Sequence, residues 1–580
     1  MPRGMRDRQR AGRRGGRVRS IVGGLVAGLG YAALSVLAFP GIGLWAFALV
    51  APLPLIALRP SMGLSWVAFG VWLGVMPFWL WTHIWVGSVS AAGLPPLIML
   101  QSVWAALFVV LHTAIGRSWP SVPLAARAAV CWGAVELFRG AIAFDGYPWY
   151  LAAHPLINAW WISAAGATVG AYGLGMLVAG LCGASLSGVR TLGVAAAVWA
   201  VLSLPGVLAT PVEGPSVRVG VVQTNVAQSV RGGWPPEDRV VTMGVLDRWT
   251  RDATALGSDL VVWPETMFPG EVIEPDAVQA QVDAELIWFL PDSAAAQARE
   301  LGLNVLRDNN GRAAIWAAAP VAWLEWLSES TGVPLLVGAA AHDGYRIIED
   351  DVGIRDEADA RFNSAYLFEG GDASQARYDK IRLTPFGEVM PYISAWDTLE
   401  ELLLSFGARG MAFDVESGAN PVGFSLETTG GVVRVISPIC FEATSPGVVR
   451  GLLAGSEHLG TPTLIAQITN DGWFGRTDRG REAHAQASRW RALELGLPMI
   501  RAANTGISRA YDARGRELAP EAGEGLIAGE ARSEGLVAFD LAIDTRGTPQ
   551  RWLGEWPSRG ALALATGGLA LGWIRKRGQR

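Results

Sequence analysis

The chain has 580 residues, 51% of them hydrophobic and only 17% charged, with a net charge of −5. A soluble domain is about a quarter charged, and here the shortage is concentrated. Residues 21–210 contain just seven charges, Arg59, Arg117, Arg127, Glu136, Arg139, Asp145 and Arg190, and a water-soluble fold that bare would be one apolar patch, which excludes a wholly cytosolic enzyme, a disordered protein and a nucleic-acid binder.

Residues 1–20 hold eight arginines and form a basic arm. Apolar segments then continue through residue 209, too far for a cleaved leader. A bilayer span needs about 20 apolar residues. Seven segments fit, at 21–39, 42–58, 63–85, 94–116, 122–139, 159–186 and 192–209, and an eighth lies at 559–574, before Arg575, Lys576 and Arg577. If the spans alternate, both termini, Arg59, Arg117 and Arg190 fall on one side, while loop 86–93 on the other has no Lys or Arg. Basic loops stay in the cytoplasm, so both termini are expected there and residues 211–557 outside it. The chain thus divides into an arm (1–20), a seven-span domain (21–210), an external domain (211–557) and a final span with its tail (558–580). Gly24/Gly28 and Gly166/Gly170 have the spacing of helix-packing sites.

The external domain alternates short apolar runs (Val217–Gln223, Leu260–Trp263, Leu335–Ala340, Val432–Ile436, Leu464–Thr469) with helical patterns at 237–256 and 479–496. That alternation predicts a layered α/β fold around a sheet. Residues 270–330 are Ala-rich and are expected to be a helical elaboration, serving as a lid, a lipid-contacting arm or an inert insertion.

Three cysteines exclude a disulfide framework. Cys131 and Cys182 fall in spans and are expected to be packing residues. Cys440 ends a predicted strand and is the single cysteine of the external domain, so it is either a reactive thiol or a buried structural one. Glu265 ends Leu260-Val-Val-Trp-Pro-Glu265, and Lys380 sits in Tyr378-Asp-Lys-Ile-Arg-Leu-Thr-Pro-Phe-Gly-Glu388. A lone charge in such apolar surroundings is costly unless paired. A carboxylate that takes a thiol proton and an amine that stabilises an oxyanion would complete an acyl-transfer site around Cys440.

Trp-Pro-Glu265, Lys380 with Pro-Phe-Gly-Glu388, and Cys440-Phe-Glu442, in that order, resemble the Glu-Lys-Cys triad of the nitrilase superfamily. With spans on both sides, the chain resembles the apolipoprotein N-acyltransferase family of the bacterial inner membrane. Thr469-Asn-Asp-Gly-Trp-Phe-Gly475, Arg491-Ala-Leu-Glu494, Glu136-Leu-Phe-Arg139 and Gly146-Tyr-Pro-Trp149 are similar to that family too. The resemblance implies an α-helical membrane bundle of about eight spans and a periplasmic α-β-β-α sandwich. It implies transfer of a fatty acyl chain from a membrane phospholipid to the N-terminal amine of diacylated apolipoproteins, by a ping-pong path, in a monomer without cofactor or metal. Cys440 would be the nucleophile, Glu265 the general base and Lys380 the oxyanion partner. Glu388 would support Lys380, Phe441 and Glu442 would flank the nucleophile, and Trp234 would stand near the substrate entrance. In this family the residue after the cysteine is often Tyr, so Phe441 departs from the pattern.

Two other activities fit the same residues less well: a membrane-tethered nitrilase-type amidase with water as acceptor, and a transporter or receptor. A Cys–His pair using His458 or His484 is a further arrangement, Ser508 reads as structural, and Glu136 with Arg139 reads as an ion pair or a lipid-headgroup contact.

Overall fold

The computed structural model describes residues 3–58, 63–209, 214–227, 234–350, 353–373, 377–385, 387–389, 415–455, 461–520, 530–543 and 546–578. Among these residues five helices are long and apolar enough to cross a membrane: Gly15–Ala38, Leu64–His83, Leu94–Ser118, Gly166–Ser185 and Val189–Leu208. The first is the apolar part of one helix, Arg3–Ala38, that also runs through the basic arm. Segment 122–139 gives a 14-residue helix, Leu124–Leu137, which widens into a π-turn at Phe138–Ile142. The C-terminal segment gives Trp556–Gly578.

Segment 42–58 is not the continuous helix expected. It forms two single turns, Trp45–Leu49 and Leu53–Ile56. Pro52 and Pro54 lack the amide a helix interior needs, and Gly41 and Gly43 take φ of 104° and 76°.

The helices on either side of this segment pack in parallel. A Cβ on Gly24 would meet Val67 O at 2.1 Å, and one on Gly28 would meet Val71 O at 2.8 Å and Gly74 Cα at 2.9 Å. Later residues of one helix thus face later residues of the other. The Gly24/Gly28 expectation holds, with Gly70 and Gly74 as its counterpart. Gly166/Gly170 works differently. Gly166 abuts Trp490 and Leu493 in the second half of the chain, and Gly170, at φ 68°, abuts Gln550 and Glu494.

The second half of the chain is a sandwich of two sheets. The first runs in the order Tyr378–Asp379, Ala360–Phe368, Leu335–Asp343, Leu260–Val262, Ser216–Gln223, Gly535–Ala542. The second runs Gly423–Thr428, Gly431–Ile436, Thr463–Thr469, Met499–Ala503, Arg509–Tyr511. The central strands are parallel, with Val221 opposite Val262 and Ile465 opposite Met499. Strands covered on both faces read as near-continuous apolar runs, and the period of two sorts them. Val217, Val219, Val221, Leu260 and Val262 share one face of the first sheet and belong to one apolar cluster with residues of the second, Val435, Ile465 and Ile500 among them. Val222, Val261 and Trp263 point outward onto helices Pro236–Ala255 and Ala319–Thr331. Pro446–Gly455 and Asp478–Leu495 supply Leu452, Ala492 and Leu495 to the other sheet's cover. This is the α-β-β-α order.

The stretch at 270–330 is only partly helical. Helices Pro275–Asp283 and Asp292–Glu300 flank a three-stranded antiparallel sheet of Ile287–Leu290, Ala313–Trp316 and Leu306–Arg307. The run Ile287-Trp-Phe-Leu290 is aromatic and β-branched, which favours strand over helix despite the alanines. The stretch packs on Val240 of helix Pro236–Ala255, away from the site described below.

Inserting Val at Gly28 drives a side chain into the backbone of the neighbouring helix, and such overpacking costs about 1–3 kcal/mol. Gly23 has nothing within 4 Å of its Cβ position. In detergent, Gly28→Val is expected to lower the apparent Tm and Gly23→Val to leave it unchanged.

Candidate active site

Strand ends bring the chemistry together. Glu265 lies three residues beyond Leu260–Val262, and Thr266 beside it takes φ 52°. Gly338 on the adjacent strand permits this close turn, because a Cβ there would lie 2.4 Å from Pro264 O and 2.8 Å from Glu265 Cα. Lys380 follows Tyr378–Asp379, and its amide donates to Asn363 O at 2.8 Å. Cys440 lies four residues beyond Gly431–Ile436, at φ 52°. A left-handed cysteine is a rare, strained conformation of the kind found at active sites.

The 5%-exposed Glu265 carboxylate is held on both oxygens. Asn363 Nδ2 donates to Oε1 at 2.6 Å, and the Asn470 amide donates to Oε2 at 2.6 Å. Lys380 Nζ stands 3.7 Å from Glu265 Oε1. Its stronger partner is Glu388, at 2.6 and 2.9 Å, and the Thr384 amide fixes that carboxylate at 2.8 Å. Lys380 is 1% exposed. Burial alone would lower its pKa, but Glu388, Glu265 and Cys440 outweigh burial and raise it above the ordinary value. Burial would raise Glu388, and Lys380 outweighs that and holds it below the ordinary carboxylate value. Burial pushes the Cys440 thiol well up, Glu265 and Glu388 push it further, and Lys380 and a hydrogen bond from Thr469 oppose them. The sulfur therefore rests as a thiol and needs a base to take its proton.

Glu265, Glu388 and Cys440 line a cavity of about 160 Å³. Its other walls come from the membrane half, including Leu97, Leu100 and Trp104 of helix Leu94–Ser118. Phe441 also lines it and packs on Tyr147 and Trp149, with ring centroids 6.4 and 6.1 Å apart. The cavity thus lies between the two halves, with the thiol against one wall and apolar helix on another.

Other expected residues have different places. Glu442 does not face the cavity. Its buried carboxylate accepts from the Tyr378 hydroxyl at 2.9 Å and from the amides of Ile381, Arg382 and Ile439 at 2.8–2.9 Å. It ties the nucleophile's turn to the lysine's strand. Burial pushes its pKa up to about 7 against those donors. Trp234 stays outside the cavity, with the Arg239 guanidinium 5.4 Å from its ring. His484 also lines the cavity, and its ring meets the Cys440 carbonyl oxygen, at 3.3 Å, and Asp471, at 3.1 Å. His458 lies outside the described residues.

Glu136 and Arg139 form no ion pair among the described residues. Each holds the loop that carries Tyr147 and Trp149. Glu136 accepts from the Ala152 amide at 2.7 Å, and Arg139 donates to Trp149 O at 2.7 Å. The helix directs both side chains to the same loop, and peptide groups satisfy them better than each other. Cys131 and Cys182 are buried packing residues, as expected. Ser508 is structural, donating to Gln223 Oε1 at 2.9 Å.

Asn363 and His83 escaped the sequence reading, and Tyr147 and Thr384 lie in motifs it singled out but received no role. His83 Nε2 lies 2.7 Å from the Tyr147 hydroxyl. Asn363 carries no local signal, because its importance comes from the strand beside it. Asn470 lies in the Thr469-Asn-Asp-Gly motif but received no role.

Residues 218–536, more than half the chain, match the carbon–nitrogen hydrolase family, and the chain belongs to it. Residues 31–184 match the N-terminal domain of apolipoprotein N-acyltransferase. The chain is 28% identical to the apolipoprotein N-acyltransferase of Rhizobium meliloti, over 85% of this chain and 86% of that one. It is 28% identical to that of Geobacter metallireducens, over 56% of this chain and half of the relative's length. Among solved structures, a nitrilase-superfamily amidase from Nesterenkonia is 17% identical, with a TM-score of 0.32, covering 58% of this chain and 94% of that one.

The depressed Glu388 pKa sets a pH dependence. Its contribution to stability is complete above the ordinary value of 4.5 and drains as pH falls through the lower native value. Thermal melts of the parent chain and Glu388→Gln from pH 7 to pH 3 are expected to differ most near neutrality and to converge in acid.

Proposed function

We propose that this chain N-acylates lipoproteins, taking a fatty acyl group from a membrane phospholipid and passing it to the α-amino group of a diacylglyceryl cysteine. The observation that carries this reading is the cavity itself, where Cys440 and Glu265 share walls with an apolar membrane helix. A lipid acyl ester can reach the sulfur from the bilayer side. Extracting such a chain into water would cost about 0.8 kcal/mol per CH₂. A water-dependent amidase has no use for that wall, and a transporter has no use for the triad.

In the first half-reaction Glu265 accepts the Cys440 proton as the sulfur attacks the ester carbonyl. The charge that develops on the carbonyl oxygen is stabilised by Lys380, whose own position is fixed by Glu388. The tetrahedral species collapses to a thioester. The departing lysophospholipid oxygen takes the proton back from Glu265. In the second half-reaction the lipoprotein amine attacks the thioester, and Glu265 accepts its proton. The amide forms, the sulfur leaves, and Glu265 returns the proton to it. These three side chains supply nucleophile, base and cation, so the chemistry calls for no cofactor. Glu442 acts by fixing the turn that presents Cys440.

The same reading places the protein in the inner membrane as a monomer with eight crossings. Both termini are cytoplasmic and the catalytic domain is periplasmic, with boundaries at 1–20, 21–210, 211–557 and 558–580. The parallel packing of Arg3–Ala38 and Leu64–His83 supports the count, since residues 39–63 must return between them. The cavity supports the side, since Trp85, Val86 and Val89, just beyond the end of Leu64–His83, line it.

Purified protein incubated with phospholipid alone is expected to gain one acyl mass on Cys440, labile to hydroxylamine. Cys440→Ala gains none. Glu265→Gln is expected to slow acylation by about 10²–10⁴-fold, the usual contribution of a general base. Addition of a diacylated lipopeptide then discharges the thioester and adds one acyl chain to the peptide. Unchanged acylation in Glu265→Gln and Lys380→Ala counts against the assignment.

A further inference from the structure

A second cleft, of about 750 Å³, lies on the other side of helix Asp478–Leu495 from the catalytic cavity. Residues 479, 482, 486 and 489 recur at i, i+3, i+7 and i+10, which puts them on one face. All four line this cleft, whereas His484 lines the catalytic cavity. The opposite wall is the loop Pro40–Gly43 with Trp81, where the two parallel membrane helices end. Ile42 and Leu44 are 47% and 50% exposed there, and a tryptophan at such a level is a common interfacial anchor.

The charges in the cleft do not cancel. Asp478 is matched by Arg481 and Arg532, at 3.3 and 2.9 Å. Glu482 pairs with Arg509, which also holds Glu517. Among the described residues no carboxylate lies within 4.0 Å of Arg479 or Arg489. Arg479 lies over the Trp81 ring, 4.6 Å from its centroid, and Arg489 donates from Nε to Gly515 O at 2.5 Å and from Nη1 to Asn158 Oδ1 at 2.9 Å. Gln486 is 8% exposed, and its buried Oε1 has no hydrogen-bond partner. Two guanidiniums without counter-charges and a sequestered amide thus face one polar cleft at the end of the membrane helices.

We propose that this cleft is a second ligand site, separate from the catalytic cavity, that binds a phosphate monoester or phosphodiester anion. Guanidinium suits such oxygens, because its planar donors match them in pairs. Gln486 can donate to the anion only through its amide nitrogen, since the unpartnered Oε1 is an acceptor, and the Trp81 face holds the Arg479 plane. The anion is either the headgroup of an outer-leaflet lipid, whose chains would lie along Ile42 and Leu44, or a soluble phosphate ester.

The test uses the full-length chain in detergent, carrying Cys440→Ala so that no lipid is turned over. Native mass spectrometry follows titration with phosphatidylglycerol, and separately with glycerol 3-phosphate and inorganic phosphate. Arg479→Ala is expected to weaken one binding event by about tenfold, the effect of losing one charge-assisted contact, with partial recovery in Arg479→Lys. Gln486→Leu provides a second variant on the same cleft. Arg479-dependent binding of phosphatidylglycerol that neither soluble anion competes supports the lipid source, and competition by glycerol 3-phosphate or phosphate supports the soluble one. On the unsubstituted Cys440 background, Arg479→Ala should still form the thioester at the parent rate, which also reports correct folding. If the Arg479 and Gln486 variants bind all three probes as the parent does, the site is refuted, whatever the outcome at Cys440.

Discussion

Lys380 is an ammonium taken almost wholly out of water, and it stays charged only because two carboxylates share it. Removing a buried ion's partner leaves an uncompensated charge, which costs far more than the pair itself contributes. The three side chains are therefore tolerated only together. Glu388 balances the lysine, and that leaves Glu265 with one oxygen toward Asn363 and the other on the Asn470 amide. Burial and the two carboxylates keep the proton on the cysteine, and in the proposed mechanism reaction at the sulfur begins with its transfer to Glu265.

The same economy of burial governs the seam between the halves. Membrane helices have no water to satisfy polar groups, and Glu136 and Arg139 are placed where a loop of bare peptide groups needs them. The loop presents Tyr147 and Trp149 to Phe441, the residue beside the nucleophile. On the opposite side Glu494 accepts from the Ala171 amide at 2.7 Å, at the break in Gly166–Ser185, while pairing with Arg491. Charges that look isolated in the sequence turn out to join the membrane half to the catalytic half.

Much of this was legible in the sequence because it is written in local patterns. Apolar runs of strand length gave the sheet positions, and the Pro- and Gly-flanked Glu265, Lys380 and Cys440 announced strand-end chemistry. Residues 42–58 misled, because hydropathy counts apolar residues and is blind to the prolines that break their hydrogen bonds. Residues 270–330 misled in the other direction, since alanine content outweighed one short aromatic run. Asn363 and the Tyr147–His83 contact were invisible because their partners lie far away in the chain. The spacing of Glu136 and Arg139 suggests an ion pair or a headgroup contact, whereas they bind a backbone amide and carbonyl 10–16 residues on.

One apolar cluster runs without a break from the membrane helices into the catalytic half. Phe78, Trp79 and Phe108 of the bundle share it with Phe441, Phe474, Ala483 and Ala487 of the sandwich domain. The sandwich therefore has no finished underside of its own. Excised from its helices it would expose that face to water and invite self-association, so the anchor serves as part of the enzyme's interior.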